Sequence, residues 1–243
     1  MNIFITGASS GIGYALAHEY AKRYANSNCI IGLAARRSDH LQDLADKLQN
    51  QYHITCSIYP LDVRDSLACQ LAAQDFISKF GAPNIVIASA GVSRGTLTEY
   101  RDDIPAFQAV MDINVMGMVH TFQPFIVAMK QTAAKGENAQ LVGVASVAGI
   151  RGIPGSAAYS ASKSAVITYC ESLRSEMQHY NIAVSTIAPG YIRTPMTDIN
   201  QYKMPFLMDV DVFAEKFADA VANKARYQVI PWQMGVIAKI MRL

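Results

Sequence analysis

Short apolar runs alternate along the chain with longer segments in which apolar residues recur every three or four positions. The short runs have the length and β-branched content of strands, and the longer segments have the period of amphipathic helices. The predicted strands are Ile3–Thr6, Cys29–Ala34, Thr55–Leu61, Asn84–Ala88, Leu141–Ala145, Ala183–Ile187 and Gln228–Ile230. The predicted helices are Gly11–Tyr24, the stretch around Leu41–Leu48, Asp65–Phe80, Ile104–Thr132, Tyr159–Tyr180 and Val212–Ala225.

The strand runs are continuously apolar, so each strand is expected to be buried on both faces. Such strands, separated by helices, are typical of a parallel sheet covered on both sides. No linker, repeat or low-complexity tract interrupts the alternation. The pattern therefore predicts an α/β fold: a single doubly wound, Rossmann-type domain over residues 1–243, with a parallel sheet of about seven strands flanked by helices.

The least regular segment covers residues 193–211 and is rich in methionine and proline. It is either a packed surface loop or a mobile lid over an apolar ligand. We favour the lid, because long loops in compact domains often cover a site.

Composition narrows the functional classes. The chain has 243 residues and a formal net charge of +2, with no basic tract that would bind nucleic acid. The four cysteines, at positions 29, 56, 69 and 170, form no CxxC pair, so free thiols and no metal site are expected. The sequence also shows no secretory signal and no apolar run long enough for a transmembrane helix, which favours the cytoplasm.

A glycine-rich turn, Thr6–Gly13 (TGASSGIG), joins the first predicted strand to the first helix. Glycines let a ligand approach the backbone, and the helix N-terminus offers free N–H groups to a pyrophosphate. No Lys-Ser/Thr follows the last glycine, so the turn is not a P-loop. The predicted cofactor contacts in this turn are Gly7, Ser9, Ser10, Gly11, Ile12 and Gly13.

Two arginines, Arg36 and Arg37, follow the second strand, where a carboxylate would select NAD(H) and an arginine would suit a 2′-phosphate. They are either a solvated pair of charges or phosphate ligands. With the glycine-rich turn in place, we favour NADP(H) over NAD(H). Asp62, after the third strand, is predicted to accept a hydrogen bond from the adenine amino group, although it could instead cap a turn. Val63 is predicted as a further cofactor contact.

Tyr159 and Lys163 lie four residues apart at the start of a predicted helix and so share one face. A nearby ammonium favours the phenolate, which brings a tyrosine toward the range useful for proton transfer. Ser146 follows the fifth strand, at the edge of the sheet where ligands bind. Asn114 is a polar residue within an apolar helical segment and needs a partner. Each residue alone has an ordinary structural explanation; the combination indicates chemistry.

Taken together, these residues resemble the short-chain dehydrogenase/reductase family in its compact single-domain branch. Thr6–Gly13 is similar to its TGxxxGxG turn, and Asn114, Ser146, Tyr159 and Lys163 have the order and spacing of its catalytic tetrad. Ala88–Gly91 (ASAG) resembles its NNAG segment, which adds Ser89, Ala90 and Gly91 to the expected cofactor contacts. Pro189 and Gly190, with Ile192 and Thr194, resemble the segment that holds the nicotinamide carboxamide.

The resemblance implies an oxidoreductase that transfers a hydride between NADP(H) and a carbonyl or alcohol substrate, without a metal. Tyr159 would be the general acid or base, and Lys163 would bind the nicotinamide ribose and lower the pKa of Tyr159. Ser146 would orient the substrate oxygen, and Asn114 would hold a water in a proton relay. One departure is that Ala88 and Ser89 replace two asparagines, which should cost a little rigidity and no chemistry.

Several alternatives remain open. A non-catalytic NADP(H)-binding sensor or scaffold is the main one; an extended-branch epimerase needs a longer chain than the fifty or so residues after Gly190 provide. Arg94, Arg151 and Arg193 either receive an anionic substrate or are solvated surface charges. The resemblance implies a homodimer or homotetramer. The apolar segment Trp232–Leu243 could belong to a subunit interface, to a membrane surface or to the core.

Overall fold

The structure is a computed structural model that describes residues 1–198 and 202–241. Its strands are β1 (Asn2–Thr6), β2 (Ile30–Ala35), β3 (Thr55–Pro60), β4 (Ile85–Ala88), β5 (Gln140–Val144), β6 (Ala183–Pro189) and β7 (Tyr227–Ile230). The helices are α1 (Gly11–Arg23), α2 (Ser38–Tyr52), α3 (Ser66–Phe80), α4 (Ile104–Met111), α5 (Gly117–Phe122), α6 (Ile126–Ala134), α7 (Ala157–Gln178), α8 (Val210–Ala222) and α9 (Trp232–Ile240).

The seven strands form one parallel sheet in the order β3-β2-β1-β4-β5-β6-β7. The chain winds outward in one direction from β1 and then in the other from β4, which creates a switch point between these strands. The predicted fold class, a seven-stranded parallel sheet flanked by helices, is confirmed.

Two cores cover the two faces of the sheet, and alternate strand residues enter each core. Ile3 and Ile5 of β1 pack with α1, α2 and α8, whereas Phe4 packs with α3 and α5 to α7 on the opposite face. Most strand residues are buried on one side or the other, which explains why the strands are apolar without a polar alternation. The cores therefore fix the strand ends from which the site is built.

The segment predicted as one long helix, Ile104–Thr132, is helical but is not one continuous α-helix. A π-helical turn at Asp112–Met116 follows α4, and a 3₁₀ turn at Gln123–Phe125 separates α5 from α6. Pro124 within the 3₁₀ turn explains the second break, because proline lacks an N–H to donate. The π turn holds Asn114, so this irregularity lies at a predicted site residue.

Two further predictions change. The helix with Tyr159 begins two residues earlier, at Ala157, and the apolar C-terminal segment forms a helix, α9, that was not predicted. Met234, Gly235 and Ala238 of α9 are buried, whereas Trp232, Val236 and Ile240 are exposed. Part of the segment is thus core, and residues 242–243 lie outside the described residues.

Candidate functional site

Every residue predicted to contact the cofactor lines one cleft at the carboxyl ends of the strands. Ser146 lines it as well, whereas Asn114 lies behind its wall. Six further lining residues, all apolar, were not predicted from the sequence: Ala35, Leu61, Val92, Ile113, Val144 and Ala145. Most of these adjoin a predicted residue, so the ends of the predicted strands were the available signal.

The turn between β1 and α1 leaves no room for side chains at two of its glycines. Gly7 has φ of +73°, and a Cβ there would lie 2.8 Å from the backbone of Ala90. A Cβ on Gly13 would lie 2.4 Å from the carbonyl oxygen of Gly7. The turn is therefore packed tightly against the end of β4 and against the first turn of α1, as a backbone cradle for a phosphate requires.

The residues around the start of α1 fit a dinucleotide pyrophosphate. Ser10 precedes the helix with extended backbone, and its hydroxyl makes no capping hydrogen bond. The first turn of α1 carries no acidic residue. The helix thus presents N–H groups and the positive end of its dipole to the cleft.

Arg36 and Arg37 both lie on the cleft and are exposed. The Nη2 of Arg37 donates to the carbonyl oxygen of Ser9 at 3.2 Å and to the Ser9 hydroxyl at 3.1 Å. One guanidinium is therefore tied to the glycine-rich turn beside the predicted 2′-phosphate position. The two arginines place positive charge at this end of the cleft.

Asp62 lies on the cleft and closes a local turn, while its contact with the adenine stays a prediction. Its Oδ1 accepts from the backbone N–H of Arg64 at 3.0 Å, and the two side chains pair at 2.7 Å. The hydrogen bond from Arg64 holds the pKa of Asp62 below its usual range. The carboxylate is thus charged and held in place by a residue that the sequence reasoning missed.

Tyr159 and Ser146 meet at the opposite end of the cleft. Ser146 ends the segment after β5 and caps the 3₁₀ turn Val147–Gly149, which packs against α7. Burial raises the pKa of Tyr159, and the neighbouring Ser146 acts in the opposite direction. Burial is thus the largest influence on the pKa of the phenol, whereas the sequence pointed to Lys163.

Lys163 is buried, with 5% of its surface exposed. Its Nζ donates to the carbonyl oxygen of Val144 at 2.9 Å and lies 5.7 Å from the centre of the Tyr159 ring. Burial lowers the pKa of Lys163 to about 8. The ammonium is therefore anchored to the end of β5, close to the phenol without a direct hydrogen bond to it among the bonds of the described residues.

Asn114, in the π turn, is fully enclosed and makes three hydrogen bonds. Its Oδ1 accepts from the N–H of Val92 at 2.8 Å, and its Nδ2 donates to the carbonyl oxygen of Val92 and to the Ser162 hydroxyl, each at 2.9 Å. Both amide N–H groups are thus engaged by protein. The amide braces the loop after β4, and the predicted water-holding role stays a prediction.

The segment predicted as a lid contacts the cleft through its first residues. Thr194, Pro195, Met196 and Thr197 line the cleft, and Ile192 pairs with Met208 in a short parallel bridge that anchors the far end. Residues 199–201 of the predicted lid lie outside the described residues. Whether this segment moves stays a prediction.

The three arginines proposed to receive an anionic substrate are all exposed. Arg193 pairs with Asp209, its Nε 2.9 Å from Oδ1. Neither Arg94 nor Arg151 lines the cleft. This placement favours solvated surface charges.

Comparisons with known proteins identify the family. The model of the short chain dehydrogenase family matches residues 1–204. The chain belongs to the short-chain dehydrogenase/reductase family. An uncharacterized oxidoreductase of Myxococcus xanthus is 32% identical over 98% of this chain and 90% of its own length. The prediction of an oxidoreductase acting on CH–OH groups is confirmed at the level of this family.

A second relative, the 11-beta-hydroxysteroid dehydrogenase-like 4A protein of Arabidopsis thaliana, is 34% identical over 81% of this chain. This chain spans 62% of that relative's length. Among solved structures, the L-sorbose reductase of Gluconobacter frateurii with NADPH and L-sorbose has a TM-score of 0.79 and 25% identity, over 94% of this chain and 92% of its own. Other structures of this fold hold NAD or NADPH, so the fold alone does not select between them.

Within residues 1–198 and 202–241, no helix combines the length and apolar character that crossing a membrane demands.

Proposed function

We propose that this short-chain dehydrogenase/reductase reduces a carbonyl or oxidises an alcohol with NADP(H), and that Tyr159 transfers the proton. The observation that carries the proposal is the convergence of Tyr159, Ser146 and Lys163 on one end of a cleft whose other end holds two arginines. Both ends lie at the carboxyl edge of the sheet, where ligands bind in folds of this type.

The position of Ser146 beside Tyr159 on the wall of the cleft supports the proton-transfer role. A substrate oxygen beside the phenol would accept a proton from Tyr159 in reduction and return it in oxidation, with the Ser146 hydroxyl orienting the same oxygen. Lys163 supplies positive charge that favours the phenolate, because an ammonium a few ångströms away stabilises a negative oxygen. The nicotinamide cofactor, when bound, supplies or accepts the hydride.

The residues of the cleft fit NADP(H). The cradle at Gly7–Gly13 and the start of α1 would hold the pyrophosphate, and Lys163 would hold the nicotinamide ribose. Arg36 and Arg37 would hold the 2′-phosphate, and Asp62 would accept from the adenine amino group. Pro189, Gly190, Ile192 and Thr194 would surround the nicotinamide carboxamide. The charge of the two arginines is the specific support for NADP(H) over NAD(H).

The relatives and the wall of the cleft indicate the class of substrate. One named relative is hydroxysteroid dehydrogenase-like and another is an L-sorbose reductase, and steroids and sugars differ widely in polarity. The wall beside the proposed substrate position includes Pro195 and Met196, and methionine packs adaptably around apolar groups. We therefore expect an apolar carbonyl compound to be preferred over a sugar.

A paired experiment tests this function. The wild-type protein and Tyr159→Phe are titrated with NADPH and NADH by fluorescence, and then assayed on aldehydes, cyclic ketones, aryl ketones and ketoses. We expect tighter binding of NADPH, turnover by the wild type, and a loss of about 10³-fold or more in kcat for Tyr159→Phe with cofactor binding retained. NADPH binding without turnover on any compound would favour the sensor or scaffold instead.

A further inference from the structure

A serine inside the catalytic helix connects Tyr159 to Asn114. Ser162 has no exposed surface. Its hydroxyl donates to the carbonyl oxygen of Tyr159 at 2.8 Å and accepts from the Asn114 Nδ2 at 2.9 Å. A buried hydroxyl with a donor and an acceptor partner is held in one orientation.

The same amide continues the connection to a third segment. Asn114 exchanges two hydrogen bonds with the backbone of Val92, in the loop after β4. Ser162 therefore links the first turn of α7 to the π turn, and the π turn to the wall of the cleft. This chain of bonds includes no residue of the glycine-rich turn and neither Arg36 nor Arg37.

Lys163 lies next to this arrangement. A Cβ placed on Gly91 would be 3.2 Å from Asn114 Oδ1 and 3.5 Å from Lys163 Nζ, so the amide and the ammonium flank the same small space. A rotation of the amide would change the polar surroundings of Lys163 without moving the lysine's anchor on Val144. The direction of the Asn114 amide is thus relevant to the proposed proton path.

We propose that Ser162 is a positioning residue for proton transfer, which holds the Asn114 amide in its working orientation between α7 and the loop after β4. The inference rests on the proposed function, because the effect on turnover requires that Tyr159 and Lys163 perform the chemistry. The orientation of the amide itself can be tested without any substrate.

The first experiment replaces the hydroxyl. Ser162→Ala leaves one Asn114 N–H without its acceptor, and we expect kcat to fall about 10- to 100-fold while the KM for NADPH stays within about twofold of the wild type, since no proposed cofactor contact is touched. The assay uses the carbonyl compound of the panel above that the wild type reduces fastest.

Ser185→Ala is the matched control. Ser185 also has no exposed surface, and its hydroxyl accepts from the Gln140 Nε2 at 2.9 Å. Gln140 is the first residue of β5. It therefore lies at the amino end of the strand, whereas the cleft lies at the carboxyl ends. Ser185→Ala therefore removes a comparable buried bond. Equal losses of kcat in both variants would mean a general effect on stability and would overturn the proposal.

A double variant tests whether Ser162 acts through Asn114. If it does, Ser162→Ala should add little to the loss of kcat already caused by Asn114→Ala, because both changes remove the same connection. Independent losses that multiply would overturn the proposal, and so would an Asn114→Ala variant with the kcat of the wild type.

A spectroscopic readout separates this inference from the proposed function. The side-chain amide signals of Asn114, identified by their loss in Asn114→Asp, are followed by hydrogen exchange. We expect faster exchange in Ser162→Ala and unchanged exchange in Ser185→Ala. If wild-type protein shows no turnover, the proposed function fails and so does the role in proton transfer; if turnover is present but exchange is unchanged in Ser162→Ala, the positioning role alone fails.

Discussion

The two ends of the cleft are built in different ways. Asn114, Ser146, Tyr159 and Lys163 form the proton-transfer end. Asn114, Ser146 and Lys163 are held there by hydrogen bonds to the backbone and are no more than 7% exposed. At the arginine end, formed by Arg36, Arg37, Asp62 and Arg64, the charges are at the surface. The Asp62 and Arg64 side chains are 26% and 49% exposed.

The difference assigns distinct tasks to the two ends. A buried polar group is costly to misplace, because it loses a hydrogen bond that water cannot replace. An exposed charge is screened by water and salt, and its removal affects mainly the ligand that it contacts. We therefore expect large effects on turnover from changes at the proton-transfer end, and smaller, cofactor-selective effects from changes at the arginine end.

Among the charged residues of the two ends, the largest effect is expected for Lys163→Met. The variant removes the charge beside Tyr159 and the proposed ribose contact, and kcat/KM for NADPH-dependent reduction should fall roughly 10³-fold. Lys130→Met is the control, since Lys130 also lies over a tyrosine ring, 3.5 Å from the centre of Tyr180, but on α6. A Lys163→Met enzyme that retained a tenth of the wild-type activity would contradict the expectation that changes at the proton-transfer end have large effects on turnover.

Lys163 should also make stability depend on pH. Burial lowers the pKa of Lys163 from the ordinary 10.5 to about 8, so between about pH 8 and 10.5 the folded protein binds fewer protons here than the unfolded chain. The free energy of unfolding contributed by this group therefore rises with pH across that window, by on the order of 3 kcal/mol. Urea unfolding of the wild type and Lys163→Met should show this rise as the difference between their pH profiles. Parallel profiles would show that the lysine is not buried as described.

An intermediate effect is expected at the arginine end. Arg37→Ala should lower the preference for NADPH over NADH about tenfold, because a charge-assisted hydrogen bond to phosphate contributes about 1.5–3 kcal/mol. Arg36→Ala should act in the same direction. Arg64→Ala is a useful contrast, since its partner Asp62 is proposed to contact the adenine, which both cofactors carry. The affinities for NADPH and NADH should therefore fall equally. The ratio of the two dissociation constants, measured by fluorescence, distinguishes these outcomes.

The fold was predictable because most of the strands repeat the same physical signal, a run of buried apolar residues. Runs such as Ile85–Ala88 and Gln140–Val144 are apolar at every or nearly every position. A strand needs apolar residues at successive positions only when both of its faces are buried. Helix α9 was missed because its exposed residues Trp232, Val236 and Ile240 are as apolar as its buried ones. An amphipathic period cannot be read from a segment without a polar face.

The site was predictable where it depends on backbone turns and on the ends of strands. Gly13 stands where a side chain cannot fit, and Ser146 follows a strand at the edge where ligands bind. The pairing of Asp62 with Arg64 and the link from Ser162 to Asn114 were not predictable, because they depend on the directions of side chains. The second joins residues 48 positions apart, a contact that no local pattern encodes.

A smaller effect is expected for the three surface arginines together. The triple variant Arg94→Ala, Arg151→Ala, Arg193→Ala should change the KM for keto acid substrates by less than about threefold, because exposed charges interact weakly across solvent. Arg193 already has a partner in Asp209. A tenfold rise in KM for anionic substrates, with none for neutral ones of similar size, would restore the role in substrate binding.

The smallest effect on turnover is expected for Ala88→Asn, which restores an asparagine of the family's NNAG segment. Ala88 is 3% exposed and lies in β4, paired with Thr6 on one side and Gly143 on the other. Its side chain packs in the core that contains Phe4 and Val86, so an amide there gains little access to the cleft and must find buried partners. We expect kcat to stay within about threefold and the free energy of unfolding to fall by about 1–3 kcal/mol. A rise in turnover by orders of magnitude would show instead that the absence of this asparagine limits the rate of proton transfer. The rigidity of the proton-transfer end would then not come from Asn114 and Lys163 alone.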